Sequence, residues 1–238
     1  QIPIRKMPVF RKFFLASKSG RMLVADANQQ EIRLAAALSG DKVLLQQLAV
    51  GVDLHQVTAD MFGVDRDKGK SINLALNYGM SAYGLENRLG LTEEQADAGI
   101  AARRSKYKVQ AAWQDGIVRK AQKNLKVRSL SGRPIWINPY LQYDGWRRNA
   151  MNGPVQGSAA DHTKLAFVNM HQICADEGIP FRTNLVVHDE LANDVSAGLM
   201  IKYRQATKDA WYEAGKTLAP GVELPIEMAS GANWACKK

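Results

Sequence analysis

Three acidic side chains stand where apolar stretches of the sequence end. Asp26 follows the run Met22-Leu23-Val24-Ala25, and Asp189 and Glu190 follow a second run that ends at Val187. Magnesium-dependent phosphoryl transfer needs two carboxylates from separate rigid elements, which hold two ions about 3.5–4 Å apart. A single acid at a strand end is more often a turn or cap residue, whereas two adjacent acids repel unless a cation or water meets them. The pattern favours a magnesium site, with the turn interpretation as the alternative.

A second pattern places cations and apolar side chains on one face of a helix. Arg66, Lys70, Leu74 and Tyr78 are spaced by four residues and therefore form one stripe. The two cations could meet phosphates, and the aromatic ring could stack on a base. Such a stripe predicts a site for a nucleoside triphosphate, and an ordinary amphipathic helix with solvated cations is the alternative.

The charge balance favours a polyanionic partner. Lys and Arg outnumber Asp and Glu by 32 to 23, a net charge of +9, which suits nucleic acid or an anionic membrane surface. No apolar run reaches the roughly 18 residues of a membrane span, so we expect no membrane partner. Cys174 and Cys236 lie far apart and form no CxxC pattern, which argues against a zinc site or disulfide framework and favours a cytoplasmic location.

Hydrophobic periodicity and capping residues predict an α+β fold, with strands near both ends of the chain and helices in the middle. We expect Gly40 to close the first helix, Asp65 and Thr92 to cap later helices, and Pro154 to kink or break a long one. The start of the chain, residues 1–14, is expected to be strand-like. The predicted strands and hairpins are 22–26, 127–137, 184–191 and 224–228, and the predicted helices are 32–38, 43–48, 54–62, 66–78, 92–123, 147–175 and 197–214.

Several segments together resemble the signatures of family A DNA polymerases, the class of bacterial DNA polymerase I, and they occur in the family's order along the whole chain. The first signature begins at Asp26, the second runs from Arg66 to Gly79, and the third is His188-Asp189-Glu190. Residues 148–161 are similar to the helix that contacts primer–template in that family. Ala27 and the pair Arg66-Asp67 are closer to bacteriophage replicative enzymes.

The resemblance implies a right-hand polymerase fold in which an antiparallel-sheet palm carries a helical fingers insertion. Residues 1–39 and 147–238 would form the palm, and residues 40–146 the fingers. Nothing in the sequence resembles the family's thumb or its proofreading exonuclease, and the first residue is not Met. We therefore expect a fragment or one part of a split enzyme, in which a second polypeptide supplies the thumb and the remaining palm.

The resemblance also implies a role for each candidate residue in template-directed DNA synthesis with two Mg²⁺ ions. Catalytic roles fall to Asp26, Asp189, Glu190 and Lys70, and the metal ligands would be Asp26, Ala27 and Asp189. The deoxynucleoside triphosphate would bind Arg66, Lys70, Leu74, Tyr78, Glu31, His55 and Gln29. Primer–template DNA would meet Arg148, Asn152, Gln156 and His188.

Some positions depart from the family pattern. Leu74 stands where the family usually has Phe or Tyr, and Ala75 and Asn77 are also unusual.

Two other functions compete with DNA synthesis. A single-subunit RNA polymerase is the first competing function, but Glu31 resembles the residue that excludes a ribose 2′-hydroxyl in the DNA enzymes. The second is a DNA-binding subunit that is inactive without a thumb-containing partner.

Overall fold

The computed structural model describes residues 8–181 and 185–236. Nine α-helices and six β-strands occur within these ranges. The helices are α1 (Gln30–Ser39), α2 (Lys42–Ala49), α3 (Leu54–Phe62), α4 (Arg66–Asn77), α5 (Ala82–Leu89), α6 (Glu93–Lys106), α7 (Lys108–Asn124), α8 (Tyr143–Asp176) and α9 (Met200–Leu218). The strands are β1 (Gly20–Ala27), β2 (Lys126–Arg128), β3 (Pro134–Trp136), β4 (Leu185–Val187), β5 (Glu190–Ser196) and β6 (Ile226–Gly231).

The chain divides into two compact units, which we call the sheet unit and the helical unit. The sheet unit comprises residues 1–30 and 159–238, and the helical unit comprises residues 31–158. In the sheet unit, the four strands lie in the order β4-β5-β1-β6, and each neighbouring pair is antiparallel.

Alternation along β1 gives the sheet two buried faces. On one face, Leu23 joins Leu191 and Met170 in a core with Trp211 of α9. On the other face, Met22 and Val24 pack with Trp234, which is fully buried. Because both faces are covered, the central strand is fixed in register, and so are the residues at its end.

In the helical unit, helix starts are secured by the short polar side chains that precede them. Asp41, Asp53, Asp65, Ser81 and Thr92 each accept a backbone N–H from the first turn of the following helix. The caps at Asp65 and Thr92 confirm the sequence predictions. Thr92 and Gln95 form a complete capping box.

Helix α4 lies very close to α3, and a glycine permits this approach. A Cβ atom added to Gly69 would come within 2.6 Å of the His55 carbonyl oxygen and 2.7 Å of the Ala59 Cβ. Gly69 therefore lets the backbones of the two helices pack directly, which fixes α4 against α3.

Two predictions of secondary structure are wrong. Residues 8–13 form a 3₁₀ helix and not a strand, with the ring of Phe10 packed against those of Phe13 and Phe14; residues 1–7 lie outside the described ranges. The helix predicted over 92–123 is two helices separated at Tyr107, whose φ and ψ are −108° and 61°. Of the kink or break expected at Pro154, the break does not occur, because helix α8 continues through this residue.

Within residues 8–181 and 185–236, no helix combines the length and the apolar character that crossing a bilayer requires.

Candidate active site and nucleotide-binding helix

Asp26 and Asp189 lie at the ends of adjacent strands in the sheet unit. Asp26 is the penultimate residue of β1, and its Cα is paired with that of Glu190 on β5. Asp189 belongs to the two-residue turn between β4 and β5. The N–H of Ala27 donates to the carbonyl oxygen of Asp189 over 3.3 Å, so the two aspartates are held together by backbone. The predicted strand-end acids are thus brought to one edge of the sheet.

The two aspartates interact electrostatically. Burial raises the pKa of Asp189, and the negative charge of Asp26 raises it further. Both side chains are half-buried, so water screens the repulsion only partly. A bound cation would relieve this repulsion, which makes the pair chemically suited to a hard divalent ion. The described residues contain no cluster of three or more His, Cys, Asp or Glu side chains placed to bind a metal.

Glu190 has a different environment from the two aspartates. It is 7% exposed, and its Oε2 accepts from Arg11 Nη1 over 2.9 Å. Its Oε1 accepts from the Trp234 indole N–H over 2.5 Å, and the Arg11 guanidinium lies 4.4 Å from the centroid of the Trp234 ring. Both carboxylate oxygens of Glu190 are therefore engaged by buried protein donors that sequence reasoning did not identify.

The two turn residues predicted to contact nucleotide or DNA have left-handed backbone conformations. Gln29 precedes α1 with φ 54°, and His188 opens the β4–β5 turn with φ 58°. A non-glycine residue seldom adopts this conformation, and it persists only where the surroundings impose it. For His188 the tight two-residue connection imposes it, and the side chain is exposed.

In the helical unit, α4 presents the predicted stripe on its accessible side. Arg66 and Lys70 are exposed, and Leu74 and Tyr78 are half-buried. The opposite side of the helix is buried in the core of this unit, through Ile72, Ala75 and Leu76. The four residues spaced by four thus lie on one accessible face, as the sequence predicted.

The N-terminal end of the stripe carries further charged contacts. Arg66 Nε lies 2.5 Å from Asp53 Oδ2, and both side chains are about half exposed. The hydrogen bond from Arg66 lowers the pKa of Asp53. Because water screens an exposed pair of this kind, it adds little to stability, and Arg66 can exchange Asp53 for a phosphate.

His55 lies on α3, beside the cationic part of the stripe. It is only 6% exposed, and burial lowers its pKa, with the charge of Lys70 acting in the same direction. The side-chain amide nitrogen of Asn73 lies 3.4 Å from Nδ1, and because this NH2 group can only donate, the contact suits the tautomer with the ring proton on Nε2. Both effects on the pKa favour the neutral ring, which in this tautomer can donate a hydrogen bond from Nε2–H.

The C-terminal end of the stripe contacts α1. The hydroxyl of Tyr78 donates to Glu31 Oε2, 47 residues earlier in the chain. Glu31, predicted to lie at the sugar edge of the nucleotide, and Tyr78, predicted to stack on its base, are thus joined by a direct hydrogen bond.

Tyr78 also lines a cavity of about 450 Å³ formed with the first half of α8. The predicted DNA-binding residues Arg148, Asn152 and Gln156 recur every four residues along α8, and all three line this cavity. The buried Oδ1 of Asn152 has no protein partner, so it can accept a hydrogen bond from a ligand. Leu141, Gly145 and Asn149 complete the lining and were not predicted, although Asn149 is adjacent to Arg148.

The sheet unit thus carries the paired aspartates, and the helical unit carries the cationic stripe and a polar cavity. The family model for DNA polymerase family A matches residues 1–236, and the chain belongs to this family.

Curated relatives are bacterial enzymes. The chain is 31% identical to DNA polymerase I of Pseudomonas aeruginosa, over 98% of this chain and 27% of that protein. It is 30% identical to DNA polymerase I of Chloroflexus aurantiacus, over 94% of this chain and 25% of that protein. The chain therefore spans about a quarter of the length of these relatives.

A solved structure confirms the fold. The polymerase domain of Pol1 from M. smegmatis, in complex with DNA primer–template and dNTP, superposes with a TM-score of 0.89 and 28% identity. The match covers 99% of this chain and 44% of that one. The prediction of an α+β polymerase fold, with an antiparallel sheet and a helical insertion, is confirmed.

Proposed function

We propose that this chain performs template-directed DNA synthesis, adding deoxynucleotides to a primer 3′ end by two-metal nucleotidyl transfer. The observation that carries the proposal is the pairing of Asp26 with Asp189, which the Ala27–Asp189 hydrogen bond holds at one sheet edge. Family membership and the primer–template complex of the M. smegmatis neighbour support the same activity. In this proposal residues 1–39 and 147–238 act as palm and residues 40–146 as fingers.

Asp26 and Asp189, with the carbonyl oxygen of Ala27, would hold the Mg²⁺ ions. Magnesium usually takes one or two protein carboxylates and keeps water and substrate phosphates as its other ligands, so two aspartates suffice. When bound, the ions supply charge stabilisation for the attacking and leaving oxygens. Glu190, whose oxygens already accept from Arg11 and Trp234, holds the turn that carries Asp189.

The stripe of α4 would bind the incoming nucleotide. Arg66, Lys70 and the Nε2–H of neutral His55 are donors suited to phosphate oxygens. Leu74 and Tyr78 offer apolar surface to sugar and base, and Glu31 would crowd the position of a ribose 2′-hydroxyl. Because a carboxylate there disfavours ribonucleotides, DNA synthesis is preferred over the RNA polymerase alternative.

Four residues would contact primer–template DNA, namely Arg148, Asn152, Gln156 and His188, with Gln29 near the nucleotide. Amide and guanidinium groups at minor-groove positions can contact acceptors that all base pairs share, which tests pair shape without reading sequence. A second polypeptide, expected from the sequence, is supported by none of the comparisons.

The test is a primer-extension assay with Asp26→Asn and Asp189→Asn. Each variant should lose extension by several orders of magnitude, because a lost metal ligand removes several kcal/mol of transition-state stabilisation. Asp209→Asn is the matched control, since Asp209 lies exposed on α9 and accepts a hydrogen bond from Gln205 on the same helix. Near wild-type extension by either active-site variant would overturn the assignment. DNA binding by the parent chain without extension would favour the DNA-binding subunit.

A further inference from the structure

A second cationic region lies outside the candidate site. From residue 116 to residue 143 the sequence contains no Asp or Glu, and it contains six cations: Arg119, Lys120, Lys123, Lys126, Arg128 and Arg133. This segment thus holds +6 of charge in a chain whose net charge is +9. All six cations except Lys126 are exposed, so they make this part of the protein surface positively charged.

The hairpin within this segment has one face toward α8 and one face away from it. Val127 and Ile135 are Cα partners, and their side chains lie over Gly153 and Gly157 of α8. A Cβ atom on Gly157 would come within 2.5 Å of Ile135 Cδ1, so the hairpin sits directly on the helix backbone.

The outward face of the hairpin combines charge with an aromatic ring. Lys126 is the Cα partner of Trp136, and Arg128 is the partner of Pro134, so these four side chains share the opposite face. Trp136 is 70% exposed, and Lys126 Nζ lies 5.3 Å from its ring centroid.

Two further exposed aromatic residues follow the hairpin. Tyr140 is 94% exposed and Tyr143 is 61% exposed. Tyr143 stacks on Trp146, which is buried in the core of the helical unit, with ring centroids 6.5 Å apart. Exposing three aromatic rings within eight residues is unfavourable in water unless a partner covers them.

We propose that these residues form a binding surface for single-stranded DNA, which we call the aromatic-basic surface (Lys126, Arg128, Trp136, Tyr140 and Tyr143). Cations that follow a phosphate backbone, interleaved with rings on which unpaired bases stack, are the means by which proteins bind single strands without reading sequence. A duplex offers phosphates to the cations but no free base faces to the rings. The binding of a single strand is inferred from this surface alone. The proposed function is needed only to identify that strand as the unpaired template.

Trp136 provides a direct signal for this binding. Of the five tryptophans it is the most exposed, since Trp146, Trp211 and Trp234 are buried and Trp113 is half-buried. Titration of the 238-residue chain with an oligo(dT) strand, without nucleotide, should quench tryptophan emission. Trp136→Phe should remove most of the quenching.

Affinity measurements separate stacking from charge. Tyr140→Ala and Trp136→Ala should each weaken oligo(dT) binding by about tenfold, within the range of one stacked base, and should change blunt-duplex binding much less. The double variant Lys126→Gln/Arg128→Gln should lower the salt slope of log K by about 1.4, since each single-strand phosphate contact contributes about 0.7. Tyr212→Ala is the matched control, because Tyr212 is 63% exposed on α9.

Unchanged oligo(dT) affinity in Tyr140→Ala and Trp136→Ala would overturn the proposal. Equal losses for single strand and duplex would overturn it as well, since they would indicate phosphate binding alone. The same titrations with the Asp26→Asn variant should give the same oligo(dT) affinities, because Asp26 is not part of the aromatic-basic surface. Loss of primer extension without loss of oligo(dT) binding would therefore concern the proposed activity, and loss of oligo(dT) binding alone would concern this proposal.

Discussion

Arg103 of α6 donates from Nη2 to Oδ1 of Asn77, at the end of α4, over 2.8 Å in the interior of the helical unit. Burial lowers the pKa of Arg103 to about 10, so it remains charged at neutral pH although its partner is a neutral amide. Gln110 also donates to Asn77 Oδ1, and Gln114 donates to the Leu76 carbonyl. The last turn of α4, immediately before Tyr78, is thus held by buried polar groups from α6 and α7.

This arrangement predicts strong coupling between Arg103 and Asn77. Asn77→Leu leaves a buried charge without its acceptor and should lower the free energy of unfolding by about 3 kcal/mol. The double variant Arg103→Met/Asn77→Leu removes both polar partners and should be less destabilised than Asn77→Leu alone. Urea unfolding of the parent, the two single variants and the double variant measures the coupling. The control is Arg104→Met, which breaks the exposed pair with Asp115 and should lower the free energy of unfolding by less than 1 kcal/mol. Additive effects in the cycle would contradict this role.

Glu190→Gln should affect stability more than catalysis. The amide offers one acceptor where Arg11 and Trp234 present two donors, so one buried donor loses its partner at a cost of about 1–3 kcal/mol. Primer extension at low temperature should fall far less than in Asp189→Asn. Thermal unfolding and extension rates, measured on the same preparations, check both statements. A loss of extension equal to that of Asp189→Asn, in a variant as stable as the parent, would place Glu190 in the chemistry.

His162 predicts an acid-dependent loss of stability. Its Nε2–H donates to the Trp211 carbonyl over 3.3 Å, its Nδ1 accepts from Gln30, and burial lowers its pKa to about 4 from 6.5. Because the folded pKa is depressed, the unfolded chain binds the proton first. The contribution of neutral His162 is complete above pH 6.5 and is lost as the pH falls toward 4.

Between pH 6.5 and pH 4 the free energy of unfolding should fall by about 3 kcal/mol, because the pKa of His162 is about 2.5 lower in the folded chain than in the unfolded chain. Urea unfolding from pH 7 to pH 4 measures it. His162→Gln keeps a donor and an acceptor and should flatten this part of the profile, and His171→Gln, an exposed residue of α8, is the control. An identical slope in His162→Gln would assign the acid sensitivity to other groups.

Glu31→Ala should raise ribonucleotide incorporation more than it lowers deoxynucleotide incorporation. A carboxylate at the sugar edge rejects an added hydroxyl by steric exclusion and by leaving polar groups badly paired. Tyr78→Phe, which removes the hydroxyl that holds Glu31, should relax discrimination by a smaller factor. Side-by-side incorporation assays with both sugars provide the ratio, and unchanged discrimination in Glu31→Ala would contradict the assigned position.

Local signals predicted most of the helices and strands, and the accessible face of α4. The Asp65 cap and the four-residue spacing from Arg66 to Tyr78 depend on neighbours in sequence, and the structure has both. The separation of α6 from α7 was missed because no Gly or Pro marks it. There Tyr107 donates to Gln47, 60 residues away, and Asp41 caps the start of α7, so the groups that meet the chain at this point are distant in sequence. The burial of Arg103 and its hydrogen bond to Asn77 could not be predicted either, because α6 is polar on all sides and its sequence marks no buried face.

One carboxylate starts two helices that are far apart in the sequence. Asp41 Oδ1 accepts from the N–H groups of Val43 and Leu44 at the start of α2, and Oδ2 accepts from those of Val109 and Gln110 at the start of α7. Asp41 is 1% exposed, so water does not compete for its two carboxylate oxygens. The first turns of α2 and α7 should therefore become ordered in the same folding event, and their amide protons should exchange with solvent at a common rate.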